Sequence, residues 1–372
     1  MKTRLPRHEF QEALTAVATL TGGRTTKPIL GCVKLAIDGD RLDLSATDGE
    51  AGLRLGVPTL SVDEPGQTVV QADRLLNIIR EMADVEIALE ANDSHCMIRG
   101  AGSEFKIYVQ RPEDFPPVPG FEGEADLVVD GDQIRRMIAW TIYAAARETS
   151  RFAINGVLWE KHGEQLFLIA TDGRRLARAG GRVRGGGTSD FQAILPGKAL
   201  NVFEKVFNPP RDADGWQVDV KLMPNQALLR SGDRVLSTVL VEGHFPKYDD
   251  VIPKDNDKCA RVDRLEFNSA IRRAALLTTE ESRAVKLSFS RDQLVITSQS
   301  PEQGEATIQV PIAYDGEPMA IGFNPAFVND ALRAISFEEI HIELKEPTRP
   351  GIICGEDKGE FLYVVMPVSL SS

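Results

Sequence analysis

The sequence predicts an α+β fold made of three tandem copies of one domain, each with two helices and antiparallel sheets. Repetition is the first observation behind it. A third of the 372 residues is 124, and at that shift Thr47-Asp48-Gly49 returns as Thr171-Asp172-Gly173 and Asp38-Gly39 as His162-Gly163. The stretch VQADRLLNII from Val70 matches LPGKALNVF from Leu195, and FNPAFVNDAL from Phe323 follows 128 residues later. Ile134-Arg135-Arg136 likewise returns as Ile271-Arg272-Arg273. Matches in one order argue for one domain repeated, where any single match could be chance. The second observation is that a helical and a strand periodicity alternate within each unit. Pro, Gly and charged residues cluster near 120–126 and 250–260, which sets the expected domains at 1–122, 123–254 and 255–372.

The first helix of each unit is expected at 4–20, 131–147 and 264–277. Phe267, Ala270, Ile271, Ala274 and Leu277 follow the i, i+3, i+4, i+7 spacing of one helix face, and Ile134, Met137, Ile138 and Ile142 do the same. Alternating runs follow, Val33–Ile37 and Arg41–Leu44, joined at Asp38-Gly39, a dipeptide that accepts the positive φ of a tight turn. A shorter helix comes next, at about 72–82, 197–206 and 325–335, and then more strands. One of these, 105–109, puts Phe105, Ile107 and Val109 on one face. Each unit ends on a Pro-bearing segment: RPEDFPPVP, VEGHFPKYDDVIP or YVVMPVSL.

Composition excludes several classes of function. No run approaches the roughly 18–20 apolar residues of a membrane helix, and MKTRLPRHEFQEAL has no apolar signal core. Cys32, Cys96, Cys259 and Cys354 are far apart and form no CxxC pair, which fits a reducing cytoplasm and no zinc site. His8, His95, His162, His244 and His341 lack metal-ligand spacing, and no nucleotide, hydrolase or metalloprotease motif occurs. Asp48 and Asp172 could be repeated acids, but Asp-Gly after a strand is ordinary turn chemistry. The stretch Gly181–Ser189 could cradle a phosphate, but no helix pattern follows it and it reads as a mobile hairpin loop. No enzyme and no cofactor are expected.

The segments KPILGCVKL, ATDGE, RPEDFP, RFAINGVLWE, IATDGRRLA, VEGHFPKYDDVIP, FNPAFVNDAL and YVVMP together resemble the β subunit of bacterial DNA polymerase III, the sliding-clamp family. The resemblance is collinear over the whole chain. It implies three DNA clamp domains per protomer and a head-to-tail homodimer closing into a six-domain ring around duplex DNA. The implied activity is non-catalytic: the ring is a processivity factor that tethers polymerase. The implied partners are sequence-independent duplex DNA, the DNA polymerase III α subunit, a clamp-loader complex and other proteins carrying a clamp-binding motif.

The resemblance implies that these partners enter a hydrophobic peptide groove between the second and third domains. The matching positions are Ile154, Thr171, Gly173, Arg174, Arg175, Leu176, Pro246, Val251, Val364, Met366, Pro367, Val368 and Leu370. Aliphatic and Met side chains make an adaptable floor there, and Arg175 could meet polar groups of the peptide. The resemblance assigns the dimer interface to Phe105, Ile107 and Val109 meeting Ile271, Leu276 and Leu277 of the partner. The chain departs from the family at MPVSL with Ser371-Ser372 (commonly MPMRL), at Ala153 (commonly aromatic) and at Asp250 (commonly basic), which bears on peptide preference.

The formal charge of −12 argues against a nucleic-acid partner only if charge is spread evenly. The six expected helices sum to +5 and everything else to −17. That division suits a basic, helix-lined hole with an acidic exterior. The DNA-facing candidates are Arg24, Arg80, Arg135, Arg136, Lys198, Arg272 and Arg273. In the first unit Gln11 and Glu12 stand where the later units carry Arg pairs, so its contact rests on Arg24, with Arg74 and Arg80 weaker. The rival reading is a repetitive adaptor that binds acidic or peptide partners and never encircles DNA.

Overall fold

A computed structural model of the chain describes residues 1–23, 26–147, 153–187, 189–209, 215–278, 284–300 and 303–370. Among these residues there are six α-helices: α1 Arg7–Thr21, α2 Ala72–Glu81, α3 Gly131–Ala139, α4 Gly197–Val206, α5 Arg264–Ala275 and α6 Pro325–Ala334. The rest is mainly antiparallel strand, so the fold is α+β with two helices per repeat. The chain forms two compact units, one of residues 1–132, 184–187 and 198–240, the other of 133–183, 188–197 and 241–372.

In the first unit α1 turns Phe10, Ala13, Leu14, Val17 and Leu20 inward. It packs on α2 and on the strands Arg41–Thr47 and Ala51–Pro58. Each such fully buried Leu or Phe contributes roughly 1.5–3 kcal/mol. The expected hairpin is present, Cys32–Asp38 paired with Arg41–Thr47, and Gly39 takes φ 62° in its turn. The strand Arg234–Val239 pairs with Ala51–Pro58, Leu236 opposite Leu53 and Ser237 opposite Gly52. This seam joins the first repeat to the second. Gly52 is needed in it, because a Cβ there would lie 2.8 Å from both Ser237 Oγ and Val118 Cγ1.

In the second unit the strands Gly156–His162, Gln165–Thr171 and Arg175–Gly186 form a meander, with Phe191–Pro196 on the other side of the first. The strand Phe361–Val365 pairs with the start of Arg175–Gly186, Leu176 opposite Val364, and makes the equivalent seam between the second and third repeats. A four-stranded sheet runs in the order Gly304–Pro311, Gln293–Ser300, Val285–Ser290, Met319–Phe323. Helices α5 and α6 pack together, each opening on a side-chain cap, Asp263 accepting from Glu266 N at 2.7 Å and Asn324 from Ala326 N at 2.9 Å.

Three expectations need correction. The first helix begins at Arg7, not 4, because Lys2–Pro6 is a strand paired with Ser61–Glu64 and Glu86–Ala91. Helix α3 ends at Ala139, well short of 147. There the Thr141 hydroxyl donates to Met137 O at 2.8 Å, taking a carbonyl the helix would otherwise use. Most of the Gly-rich stretch is not a loop: Gly181–Gly186 belong to the strand Arg175–Gly186. Its glycines serve close approach, since a Cβ on Gly181 would lie 2.5 Å from Gln133 Cδ and one on Gly186 would lie 2.6 Å from Asp126 O. Thr188 in that stretch lies outside the described residues. With the observed bounds the helices carry +3 and the remainder −15, since Arg4 and Arg147 fall outside them.

Candidate functional site

The apolar residues expected to line a groove all fall within the second unit. Its core there contains Leu158, Ile169, Leu176, Ile194, Ile352, Leu362 and Val364, with Phe245, Tyr248 and Ile252 resting on it. Leu176 and Val364 are 3% and 2% exposed, so they sit beneath the surface, and Thr171 is buried with them. Above them Val251, Leu370 and Met366 are 46%, 39% and 37% exposed, an apolar surface that water contacts. Ile154, Pro246, Pro367 and Val368 are half-buried, and Gly173 and Arg174 exposed.

Backbone bonds hold the chain end in place. Met366 N donates to Arg174 O at 3.0 Å, and Val368 N to Gly322 O at 2.9 Å. Gly322 must be glycine for this, since a Cβ would lie 2.6 Å from Val368 O and 2.8 Å from a Leu370 methyl.

The turn before the seam strand is built by Thr171, Asp172 and Gly173. Asp172 Oδ1 accepts from Arg174 N at 2.9 Å and Arg175 N at 3.1 Å, and Gly173 takes φ 83°. Asp48 does the same for Glu50 N and Ala51 N at 2.9 and 2.8 Å, so both aspartates are turn residues.

Arg175 differs from expectation. Its Nε lies 3.0 Å from Asp172 Oδ2, Nη1 2.7 Å from Asp330 Oδ2, and Nη2 donates to Tyr143 O at 2.7 Å. The guanidinium also lies 4.5 Å from the Phe327 ring centre, and the side chain is only 9% exposed. It ties the seam strand to α6 and is not free to meet a peptide. Arg174 is the exposed cation at this turn.

The basic candidates also sort by surroundings. Arg80, Arg272 and Arg273 are exposed on their helices, while Arg135 is half-buried. Arg136 is exposed, 4.0 Å from Glu360 and 5.6 Å from the Trp140 ring centre. Lys198 is ion-paired with Asp48, which offsets its charge. Arg24 lies outside the described residues.

Sequence comparison covers this architecture from end to end. Models of the N-terminal, central and C-terminal domains of the DNA polymerase III β subunit match residues 1–119, 128–247 and 249–369. The chain is 32% identical over 374 residues to the β sliding clamp of Salmonella typhimurium, with 100% of both chains covered. The chain belongs to the DNA polymerase III β-subunit family of DNA sliding clamps.

The clamp is 31% identical over 371 residues to that of Escherichia coli K12, again with 100% of both chains covered. Among solved structures, a Pseudomonas aeruginosa sliding clamp bound to griselimycin superposes with a TM-score of 0.92 at 29% identity, covering 100% of both chains. The DNA polymerase sliding clamp of Bacillus subtilis matches with a TM-score of 0.92 at 25% identity and the same coverage. Among the described residues of this clamp, no helix is long and apolar enough to cross a membrane.

The expected interface residues sort by burial. Strand Glu104–Gln110 alternates, but Phe105, Ile107 and Val109 are its inner face, with Ile107 5% exposed, whereas Lys106 and Tyr108 point outward, Tyr108 77% exposed. Ile271 is fully buried on the inner face of α5 with Phe267 and Ala270, so its side chain is out of a partner's reach. Leu276 is 75% exposed and Leu277 half-buried, so these can be reached. What the sequence reading missed is the second strand edge. Gly304–Pro311 pairs on one side only, with Gln293–Ser300, and Glu104–Phe105 through Tyr108 pair on one side only, with His95–Arg99, among the described residues. Hairpin offsets carried through the repeats could have found it.

Proposed function

We propose that this clamp works as a non-catalytic processivity factor: a head-to-tail homodimer of three-domain protomers that encircles duplex DNA and tethers the replicative polymerase. The domains are taken as 1–122, 123–254 and 255–372. The observation that carries the reading is the match of all three β-subunit domain models in order along the chain, with complete coverage of the curated clamps. Exposed Arg80, Arg136, Arg272 and Arg273 supply charge for phosphate, with Arg24, Arg135 and Lys198 in support. Contacts of that kind carry no base readout and permit sliding. The polymerase α subunit, the clamp loader and other motif-bearing proteins dock through Ile154, Pro246, Val251, Met366, Pro367, Val368 and Leu370, over a floor of Thr171, Leu176 and Val364 and beside Gly173 and Arg174. Arg175 braces that site from below. Cytoplasmic action accords with these roles.

The dimer seam follows from repeat logic. The strand offsets make Ala51, Arg175 and Gly304 equivalent. They also make Thr238 and Ile107 equivalent. Ala51 pairs with Thr238, and Arg175 with Val365, in the two seams within the chain. A third seam of the same kind, between chains, sets Ile107 opposite the partner's Gly304. Phe105, Val109, Leu276 and Leu277 flank it, with Ile107 and Ile271 packed behind. A head-to-tail contact of this sort must close to avoid a filament.

The clamp loaded on a nicked circle should resist a high-salt wash and be released when the circle is linearised. Equal retention on circle and line would overturn encirclement and favour an adaptor that never surrounds DNA.

A further inference from the structure

The segment 241–252 carries two groove residues, Pro246 and Val251, and is lightly held. Val241 N donates to Ile194 O at 2.9 Å, and Ala153 N to His244 O at 3.3 Å. Phe245, Tyr248 and Ile252 rest on the apolar core, the two rings 6.4 Å apart and edge-on. Among the described residues, one side-chain hydrogen bond ties residues 242–252 to the sheet: Tyr248 Oη donates to Glu160 Oε2 at 2.5 Å.

Glu160 is an unusual residue to find there. It lies on the strand Gly156–His162 and is 6% exposed. A carboxylate removed from water costs several kcal/mol unless donors converge on it. Its Oε1 receives the Gln192 amide from the neighbouring strand and stands 3.3 Å from His162 Nε2, whose other nitrogen is 3.7 Å from Asp190. These partners belong to the sheet or its turn. Tyr248 is the donor that does not, since it opens the 3-10 turn Tyr248–Val251. Burial first, and then the Glu160 carboxylate, push the Tyr248 phenol above its ordinary range, so the proton stays on the tyrosine.

We propose that Glu160 and Tyr248 are positioning residues for the peptide groove: their hydrogen bond sets the height of the Pro246–Val251 rim over the floor of Leu176 and Val364, and through it the affinity for an apolar peptide. The inference rests on the groove reading above. Neither residue touches the ligand. With the bond made, the rim is held in its binding geometry before the peptide arrives, so less ordering is left to the binding step. Without it the rim can still lie on the core, but with more freedom.

The test uses full-length clamp and a fluorescein-labelled peptide bearing two leucines and a phenylalanine, read by anisotropy. Tyr248→Phe should weaken binding about tenfold, the range for losing a hydrogen bond to a charged group. Glu160→Gln keeps an acceptor oxygen for Tyr248 and should stay within about threefold of the parent, whereas Glu160→Leu should match Tyr248→Phe. The double variant Tyr248→Phe, Glu160→Leu should be no weaker than either single one, because both remove one bond. Amide exchange in 244–252 should quicken in Tyr248→Phe while the strand Gly156–His162 keeps its protection.

Unchanged affinity in Tyr248→Phe would overturn the inference. So would a loss in Glu160→Gln equal to that in Glu160→Leu, or a loss of protection throughout the sheet. Truncation after Val365 separates the two readings. If it abolishes peptide binding while Tyr248→Phe leaves it intact, the groove stands and the positioning role falls. If it leaves binding unchanged, the groove itself is misplaced and the positioning role falls with it.

Discussion

Thr47, Asp48 and Gly49 repeat the bonding of Thr171, Asp172 and Gly173 atom for atom. Thr47 Oγ1 donates to Ala51 O at 2.7 Å and Thr171 Oγ1 to Arg175 O at 2.6 Å, and each glycine N–H donates back to its threonine. The two aspartates then diverge in their second oxygen, Asp48 taking Lys198 and Asp172 taking Arg175. Burial pushes the Asp48 carboxyl up, but bonds from Ala51 N, Lys198 and Glu50 N outweigh it, and its pKa lies below the ordinary value. A carboxylate with a lowered folded-state pKa contributes stability above the unfolded value of about 4, and that contribution is lost as pH falls through the folded value. Asp48→Asn should therefore lower Tm at pH 7 and flatten the fall of Tm as pH drops below the ordinary carboxylate value of about 4. A Tm–pH profile that merely shifts down without changing shape would reject this. The turn itself could be read in the sequence, because Asp-Gly carries its own geometry. The role of Arg175 could not, since its partner Asp330 lies 155 residues away in the chain.

At the scale of elements, helix positions were legible, and the ends were legible for the second helix of each repeat but not for the first. Apolar spacing places α2, α4 and α6 to within a residue. It overextends α3, because residues 140–147 remain partly apolar after Thr141 has taken the Met137 carbonyl. The seam beneath the groove floor was not legible: Leu176 and Val364 pair with each other from strands far apart in the chain. Two outcomes belong to this scale. Truncation after Val365 removes Met366 and Leu370 from the surface but leaves the strand Phe361–Val365 paired, so peptide binding should vanish while the dimer persists in sedimentation. Replacing Leu276 and Leu277 with glutamate should yield monomers by the same measurement, since exposed apolar contacts turn into desolvated charges. An intact dimer would reject the flank assigned to them.

For the whole molecule, total charge proved a poor guide and its partition a better one. The helices carry +3 within a total of −12, and the structure trims the partition further, with Lys198 held by Asp48 and Arg136 near Glu360. Among the described residues, Arg272 and Arg273 of α5 are then two adjacent exposed arginines with no acidic partner, in addition to Arg80 on α2. If both meet phosphate in each protomer, changing them to alanine removes four contacts from the dimer and should reduce the slope of log affinity against log salt by about 4 on a short linear duplex. An unchanged slope would remove α5 from the DNA surface. The seams carry a last consequence. The pairings of Ala51–Pro58 with Arg234–Val239 and of Arg175–Gly186 with Phe361–Val365 are made within one covalent chain, so each strand meets its mate at a tethered effective concentration on the millimolar scale. A third pairing of similar chemistry between chains lacks that tether and depends on bulk concentration. Dilution should act on it alone, so that assembly parts at one kind of joint while every protomer stays folded.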